Sequence, residues 1–321
     1  MLRSTLIALG DSDVARFAVT RTPLRGMSRR FVPGEGVGDL VDAIRAANAQ
    51  GMSATGNYLG ESVKTEEAAR QAADTYVDVM DRITRGGLAA NVSVKFSQLG
   101  QAISESFLTD NLAPILERSR RDGTFVRFDM ESSAYTQRTL DAFEKLWAEG
   151  WRRNIGVVLQ AYLHRTAGDV ARMNQLGARV RLCKGAYDEP ASIAYKERDE
   201  VGANFIRLMR ELLDGGTYPG IATHDERMIE ATLEHATRND VRPERFEFQM
   251  LFGVRRDLQQ QLIRDGWNVR VYVPFGEQWY PYLMRRLAER PANLLFLAGS
   301  VVRESPLGVL LGSHDRSTRK P

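Results

Sequence analysis

Cysteine is almost missing: Cys183 stands alone among 321 residues, so no intrachain disulfide can form and a reducing compartment is the natural setting. Histidine is scarce as well, and His164, His224, His235 and His314 show no ligand spacing, which leaves a catalytic metal without support. No apolar run is long enough to span a bilayer, and the first ten residues lack the apolar core and cleavage motif of a secretory leader. Nor does one charge dominate. With 44 basic and 41 acidic residues the net charge is +3, and the basic side chains are interleaved with acids, so nucleic-acid binding finds no footprint. The cytoplasm is the expected location.

What remains is the composition of an ordinary core-forming protein, 43% hydrophobic and 26% charged. From about residue 50, short β-branched or apolar runs alternate with amphipathic stretches. The runs are 52–60, 89–100, 124–131, 155–162, 179–185, 220–224, 246–251 and 268–276. Helical periodicity marks 65–84, 134–149, 191–214, 225–238 and 254–265, the first with Thr65 as N-cap and Glu66 and Glu67 in its opening turn. Eight β-α units of this length predict a (β/α)8 barrel. A doubly wound sheet would carry a glycine fingerprint after its first strand. GEGVG at 34–38 follows RRFVP rather than a strand and reads as a loop. The expected division is an N-terminal helical extension (1–48), the barrel (49–302) and a C-terminal tail (303–321).

In such barrels chemistry sits at the C-terminal strand ends. These ends carry Glu61, Lys95, Asp129 with Glu131, Gln160, Arg181 with Lys184, Thr223 with His224, Gln249 and Tyr272. Barrel interiors are normally filled by branched apolar side chains, so the convergence of these groups suggests a site. Each alone has a plainer reading: Lys95 and Asp129 as a structural ion pair, Gln160 satisfying backbone groups, His224 as a hydrogen-bonded core residue. Cys183 has no dyad partner. RLCKGAY ends in an ammonium, a glycine and a small residue, a combination suited to phosphate or pyrophosphate. In WYPYLMRRLAERPAN (279–293), helical spacing puts Tyr282, Arg285, Arg286 and Glu289 on one face. Two guanidinium groups on an inward face need a partner.

Taken in order, VSVKFSQL, FDME, VVLQAY, RVRLCKGAY, IATH, VYVPFG and YLMRRLAERPAN resemble the catalytic barrel of the proline dehydrogenases, in their short monofunctional bacterial form, over roughly residues 30 to 300. The resemblance implies a distorted (β/α)8 TIM-type barrel that holds FAD, with the helix after the eighth strand over the mouth. It implies that Arg285 and Arg286 grip the carboxylate of L-proline, a task for which guanidinium forks are suited. Lys95 adds a positive group there and Asp129 pairs with it. Tyr272, Tyr282 and Leu182 resemble the walls around the pyrrolidine ring, and Glu61 pairs with Arg285 to close the site. For the flavin, Arg181 resembles the residue beside the reactive edge. Met130 and Gln160 contact the ring system, Lys184, Gly185 and Ala186 the pyrophosphate, Thr223 and His224 the rest of the dinucleotide, and Glu289 the ribityl or adenosine part. Asp129, Arg181 and Lys95 form the catalytic group. The implied product is pyrroline-5-carboxylate, with electrons passed to a membrane quinone and the second oxidation left to a separate pyrroline-5-carboxylate dehydrogenase.

Two departures stand out. Asn57 occupies a position where an acidic residue is expected, and the segment from Tyr272 to Tyr282 is two residues shorter than in the long bifunctional relatives. Three other readings compete. Lys95 and Lys184 suit a Schiff-base aldolase, which leaves the arginine pair unexplained. A catalytically silent amino-acid-binding barrel has no use for both Lys95 and Asp129. Hydroxyproline oxidation conflicts with the bulk of Tyr272. For a membrane contact, the candidates are LLFLAGSVV (294–302) and PLGVLLG (306–312).

Overall fold

The computed structural model describes residues 28–289. Helix α1 (Val37–Asn48) leads into β1 (Ser53–Tyr58), and the chain then alternates through α2 (Glu66–Arg85), β2 (Ala90–Val94), α3 (Glu105–Asp122), β3 (Val126–Phe128), α4 (Ser133–Ala148) and β4 (Ile155–Gln160). It continues with α5 (Thr166–Leu176), β5 (Arg179–Cys183), α6 (Arg198–Gly215), β6 (Gly220–Ala222), α7 (Glu226–Arg238), β7 (Glu247–Leu251), α8 (Arg256–Arg264), β8 (Val269–Phe275) and α9 (Trp279–Glu289). All eight strands are parallel and β8 closes onto β1, giving the expected (β/α)8 barrel.

Helix α2 shows how the local sequence acts. Thr65 Oγ1 accepts the Ala68 amide at 3.3 Å, Glu66 and Glu67 face the positive helix end, and Arg82 and Arg85 the negative one. Ala69, Ala72, Ala73, Tyr76, Val79, Met80 and Ile83 recur at three- and four-residue spacing and are buried on the sheet. Two helices escaped the sequence reading: α3, which carries Pro114 in its interior, and α5. The helix expected over 191–214 begins only at Arg198, because Pro190 O takes the amides of Ile193 and Ala194 and Ala194 bridges to Leu163.

Two helices are out of the regular pattern. The buried residues of α9 do not join the main core between barrel and helices; Tyr282, Leu283 and Met284 cluster with Phe31, Val32, Leu59 and Val254 at the C-terminal strand ends. The slot that a regular eighth helix fills is taken by α1, which packs on β1 and β8 through Leu40 and Ile44. Residues 37–48 of the expected extension are thus part of the barrel wall. Of GEGVG, only 34–36 are loop; Val37 and Gly38 open α1. That loop is tied to the mouth, with Gly276 N donating to Gly34 O at 3.2 Å and Trp279 Nε1 to Glu35 at 3.0 Å.

Candidate active site

Strand alternation sends every second side chain into the barrel, and here most of those are polar. Asp129 just after β3, Arg181 from β5, Glu247 and Gln249 from β7, and Arg270 and Tyr272 from β8 form one hydrogen-bonded column along the axis, while Arg127 from β3 donates to the backbone oxygen of Arg179 instead. Arg270 Nε donates to Glu247 Oε1 at 2.7 Å, and Gln249 Nε2 donates to the same oxygen at 2.6 Å. With its amide nitrogen so engaged, Gln249 turns Oε1 to accept from Arg181 Nε. Arg181 Nη1 donates to Asp129 Oδ1 at 2.7 Å and to Ser93 Oγ at 3.1 Å, while Tyr272 donates its phenol to Asp129 Oδ2 at 2.7 Å. The Arg181 guanidinium also lies over the Tyr272 ring, 5.2 Å from its centre. Burial, reinforced by the Asp129 charge, holds the Tyr272 phenol well above its usual pKa, so it remains a donor.

This corrects one expectation. Asp129 pairs with Arg181, Ser93 and Tyr272 rather than Lys95. Both carboxylate oxygens are taken by donors that reach them inside the barrel, whereas Lys95 is half-buried at the rim and its charge acts on Glu131. Burial raises the Glu131 pKa; the hydrogen bonds from Ser97 and the charge of Lys95 oppose it. Ser97 Oγ also accepts the Ser62 amide at 3.0 Å, which fastens the loop carrying Glu61. Ser62 is held at φ 54°, a left-handed conformation costly for a residue with a Cβ.

Above the column, Arg285 Nη1 donates to Glu61 Oε1 at 3.1 Å, joining the two groups that the resemblance pairs. Arg286 lies over the Tyr282 ring at 5.1 Å, and both arginines are half-buried. Two residues missed in the sequence belong to this region. Tyr187 reaches Glu61 Oε2 at 3.5 Å, and burial followed by the Glu61 charge raises its phenol pKa strongly. Leu251, two residues after Gln249 and so on the same strand face, packs against the cluster that contains Tyr282. The final tyrosine of KGAY was a signal for the first; the period-two pattern from Gln249 was one for the second.

Leu182 requires a second correction. It alternates with Arg181 and therefore faces away from the interior; it is fully buried in the main core and cannot wall a pocket at the mouth. Met130 also packs in that core. Gln160 Nε2 donates to Glu131 O at 2.8 Å, the backbone role foreseen as its plainer reading. Lys184 Nζ donates to Asp225, the N-cap of α7, at 2.7 Å. Gly185 is obligatory: its φ is 110°, and a Cβ there would lie 2.1 Å from the Tyr162 ring. Ala186 is exposed beside it. Thr223 Oγ1 accepts from Asp225 N at 3.1 Å, and His224 Nε2 accepts from Leu251 N at 2.8 Å, which in a neutral ring places the proton on Nδ1. Asn57 is buried and donates to Ser93 O at 3.0 Å. The Glu289 side chain, the tail and both candidate membrane stretches lie outside the described residues. Among the described residues no group of histidine, cysteine and carboxylates could hold a metal, and no helix is long and apolar enough to cross a membrane.

Comparison with known proteins gives a consistent result. The family model for proline dehydrogenase matches residues 40–299. Proline dehydrogenase 2 of Bacillus subtilis is 38% identical over 83% of this chain and 88% of its own length. Proline dehydrogenase of Deinococcus radiodurans is 35% identical over 89% of this chain and 93% of its own. Among solved structures, proline utilization A from Bdellovibrio bacteriovorus inactivated by N-propargylglycine shares the fold with a TM-score of 0.81 at 24% identity, over 97% of this chain and 39% of that longer one.

Proposed function

The chain belongs to the proline dehydrogenase family, and from that premise we propose that it binds FAD and oxidises L-proline to 1-pyrroline-5-carboxylate, with a membrane quinone as final electron acceptor. The observation that carries this reading is that Arg285 and Arg286 stand on a helix packed against Leu59 after β1 and Leu251 at the end of β7, at the same end of the barrel as Lys95 and the Asp129–Arg181 pair. Two guanidinium forks and an ammonium at one mouth suit a substrate carboxylate, and Tyr272 and Tyr282, with Leu251, are the apolar bodies available to flank a saturated ring.

One feature of the interior favours a flavin in the same mouth. Arg181 Nη2 is buried and has no hydrogen-bond partner among the described residues, a fixed donor left over beside Asp129 and Tyr272. Such a donor suits the electron-rich edge of a reduced isoalloxazine. Gln160, Lys184, Gly185, Ala186, Thr223 and His224 are the residues at adjoining strand ends that would hold the cofactor, with Met130 and Glu289 retained from the resemblance. When bound, the flavin supplies the two-electron acceptor that converting C–N to C=N requires. The chain's own share is to fix the carboxylate, orient the ring and keep the amine able to give up its proton. Glu61 is bonded to both Arg285 and Tyr187, contacts that support the role of closing the entrance which the resemblance gives it.

In the proposed setting the protein works in the cytoplasm against the membrane face, and a separate pyrroline-5-carboxylate dehydrogenase completes the conversion. The visible spectrum of the purified protein tests the core of the reading. It should show oxidised flavin that bleaches when L-proline is added anaerobically; a colourless protein, or one bleached equally by other amino acids, would overturn it.

A further inference from the structure

The opposite end of the barrel raises a separate question. At the N-terminal strand ends a cavity of about 410 Å3 is lined by Arg127, Arg179, Arg270, Tyr218 and Glu247, among others. Glu247 is already engaged: Arg270 donates to it at 2.7 Å and the Tyr218 hydroxyl at 3.2 Å. Asp122, also at the cavity, is bound to Arg118 and Arg121. Neither Arg127 nor Arg179 has a carboxylate within ion-pair distance among the described residues.

Arg127 is the sharper anomaly. It is only 2% exposed, its Nη1 donates to the backbone oxygen of Arg179 at 2.7 Å, and its Nε is buried without a partner. Burial, with the charges of Arg181, Arg270 and Arg179, pushes this guanidinium well below its usual pKa, and Glu247 opposes only in part. The Arg127 and Arg179 guanidiniums share the Phe125 ring, at 4.9 and 5.3 Å from its centre, and Arg179 also lies 5.2 Å from the Tyr218 ring. Two cations are therefore held by aromatic faces at the edge of one cavity. Burying a cation without a counter-charge is costly, and a ligand anion removes that cost.

We propose that the N-terminal mouth of the barrel binds a small oxyanion, of carboxylate or phosphate type, between Arg127 and Arg179. Planar guanidinium forks recognise both chemistries. The site is at the far end of the barrel from the proposed proline site, so it stands or falls independently of that function.

The test uses the purified holoenzyme titrated with inorganic phosphate and, separately, citrate, against sodium chloride at equal ionic strength, with thermal denaturation and calorimetry as readouts. The parent should show a saturable rise in Tm with at least one of the two, and the stronger arm identifies the source. Arg179 is exposed at the rim, so Arg179→Ser should fold, keep its activity with proline and weaken the anion at least tenfold, while Arg179→Lys retains part of the affinity. No saturable effect beyond chloride, or an undiminished effect in Arg179→Ser, would overturn the proposal.

Discussion

The Asp129–Arg181 pair allows the most searching test of the interior. Their side chains are 11% and 7% exposed and meet at 2.7 Å. In Asp129→Ala the guanidinium keeps only neutral partners, Ser93 and Gln249, and Tyr272 loses its acceptor. Breaking a buried pair from one side costs about 3–5 kcal/mol, because a charge remains without compensation. Asp129→Asn is milder. Its amide oxygen can face Arg181, its nitrogen must then face Tyr272, and that hydroxyl can turn to accept; a loss of about 1.5–3 kcal/mol follows from weakening bonds to a charged group. Arg181→Met removes the cation instead. The double variant Asp129→Asn, Arg181→Met leaves no uncompensated charge, so its loss should fall short of the sum of the single losses by about 1–3 kcal/mol. Urea unfolding at equal flavin loading measures all four corners. Alkaline titration adds a second readout, since removing the Asp129 charge should lower the Tyr272 pKa. Losses that add to within about 0.5 kcal/mol, or a loss below about 1 kcal/mol in Asp129→Ala, would refute the argument that this pair organises the column.

Arg285→Met and Arg286→Met should each raise the KM for proline about ten- to a hundredfold, the equivalent of roughly 1.5–3 kcal/mol, while flavin content stays largely intact; unchanged proline kinetics in both would remove the carboxylate-clamp assignment. Asp225→Ala should cost about 1 kcal/mol as a lost N-cap, with little added for the solvent-screened Lys184 contact. Lys184 and the α7 amide lower the Asp225 pKa against the effect of burial, so its contribution is complete above the ordinary carboxylate pKa and lost as pH falls through the lowered value. Unfolding curves of parent and variant should therefore converge in acid, and a constant gap would contradict this. Cys183 is pushed up to about 11 by burial, so iodoacetamide should react with it far more slowly in the folded protein than in denaturant at neutral pH. Equal alkylation rates would contradict that burial.

Short apolar runs alternating with amphipathic stretches were enough to anticipate the eight strands and the barrel, although α3 and α5 were missed, because the pattern of apolar residues encodes which face is buried. The motif order identified the family, and the polar groups read at the strand ends do gather at one end of the barrel, where the proposed site lies. Partner choice was not legible. Asp129 lies 34 residues from Lys95 and 52 from Arg181, and only closure of the barrel puts the second within 2.7 Å. Leu182 looked like a site residue through its neighbours in RVRLCKGAY, yet one step of strand alternation turns it into the outer core. With α9 packed at the mouth, α1 covers the β8–β1 seam, an exchange of places that only the packed structure shows. The same holds for Arg127 and Arg179: each is an unremarkable strand residue in the chain, and only the ring of strand ends makes them neighbours over one Phe125. Sequence sets what a segment can bury; tertiary closure decides which charges then have to answer one another.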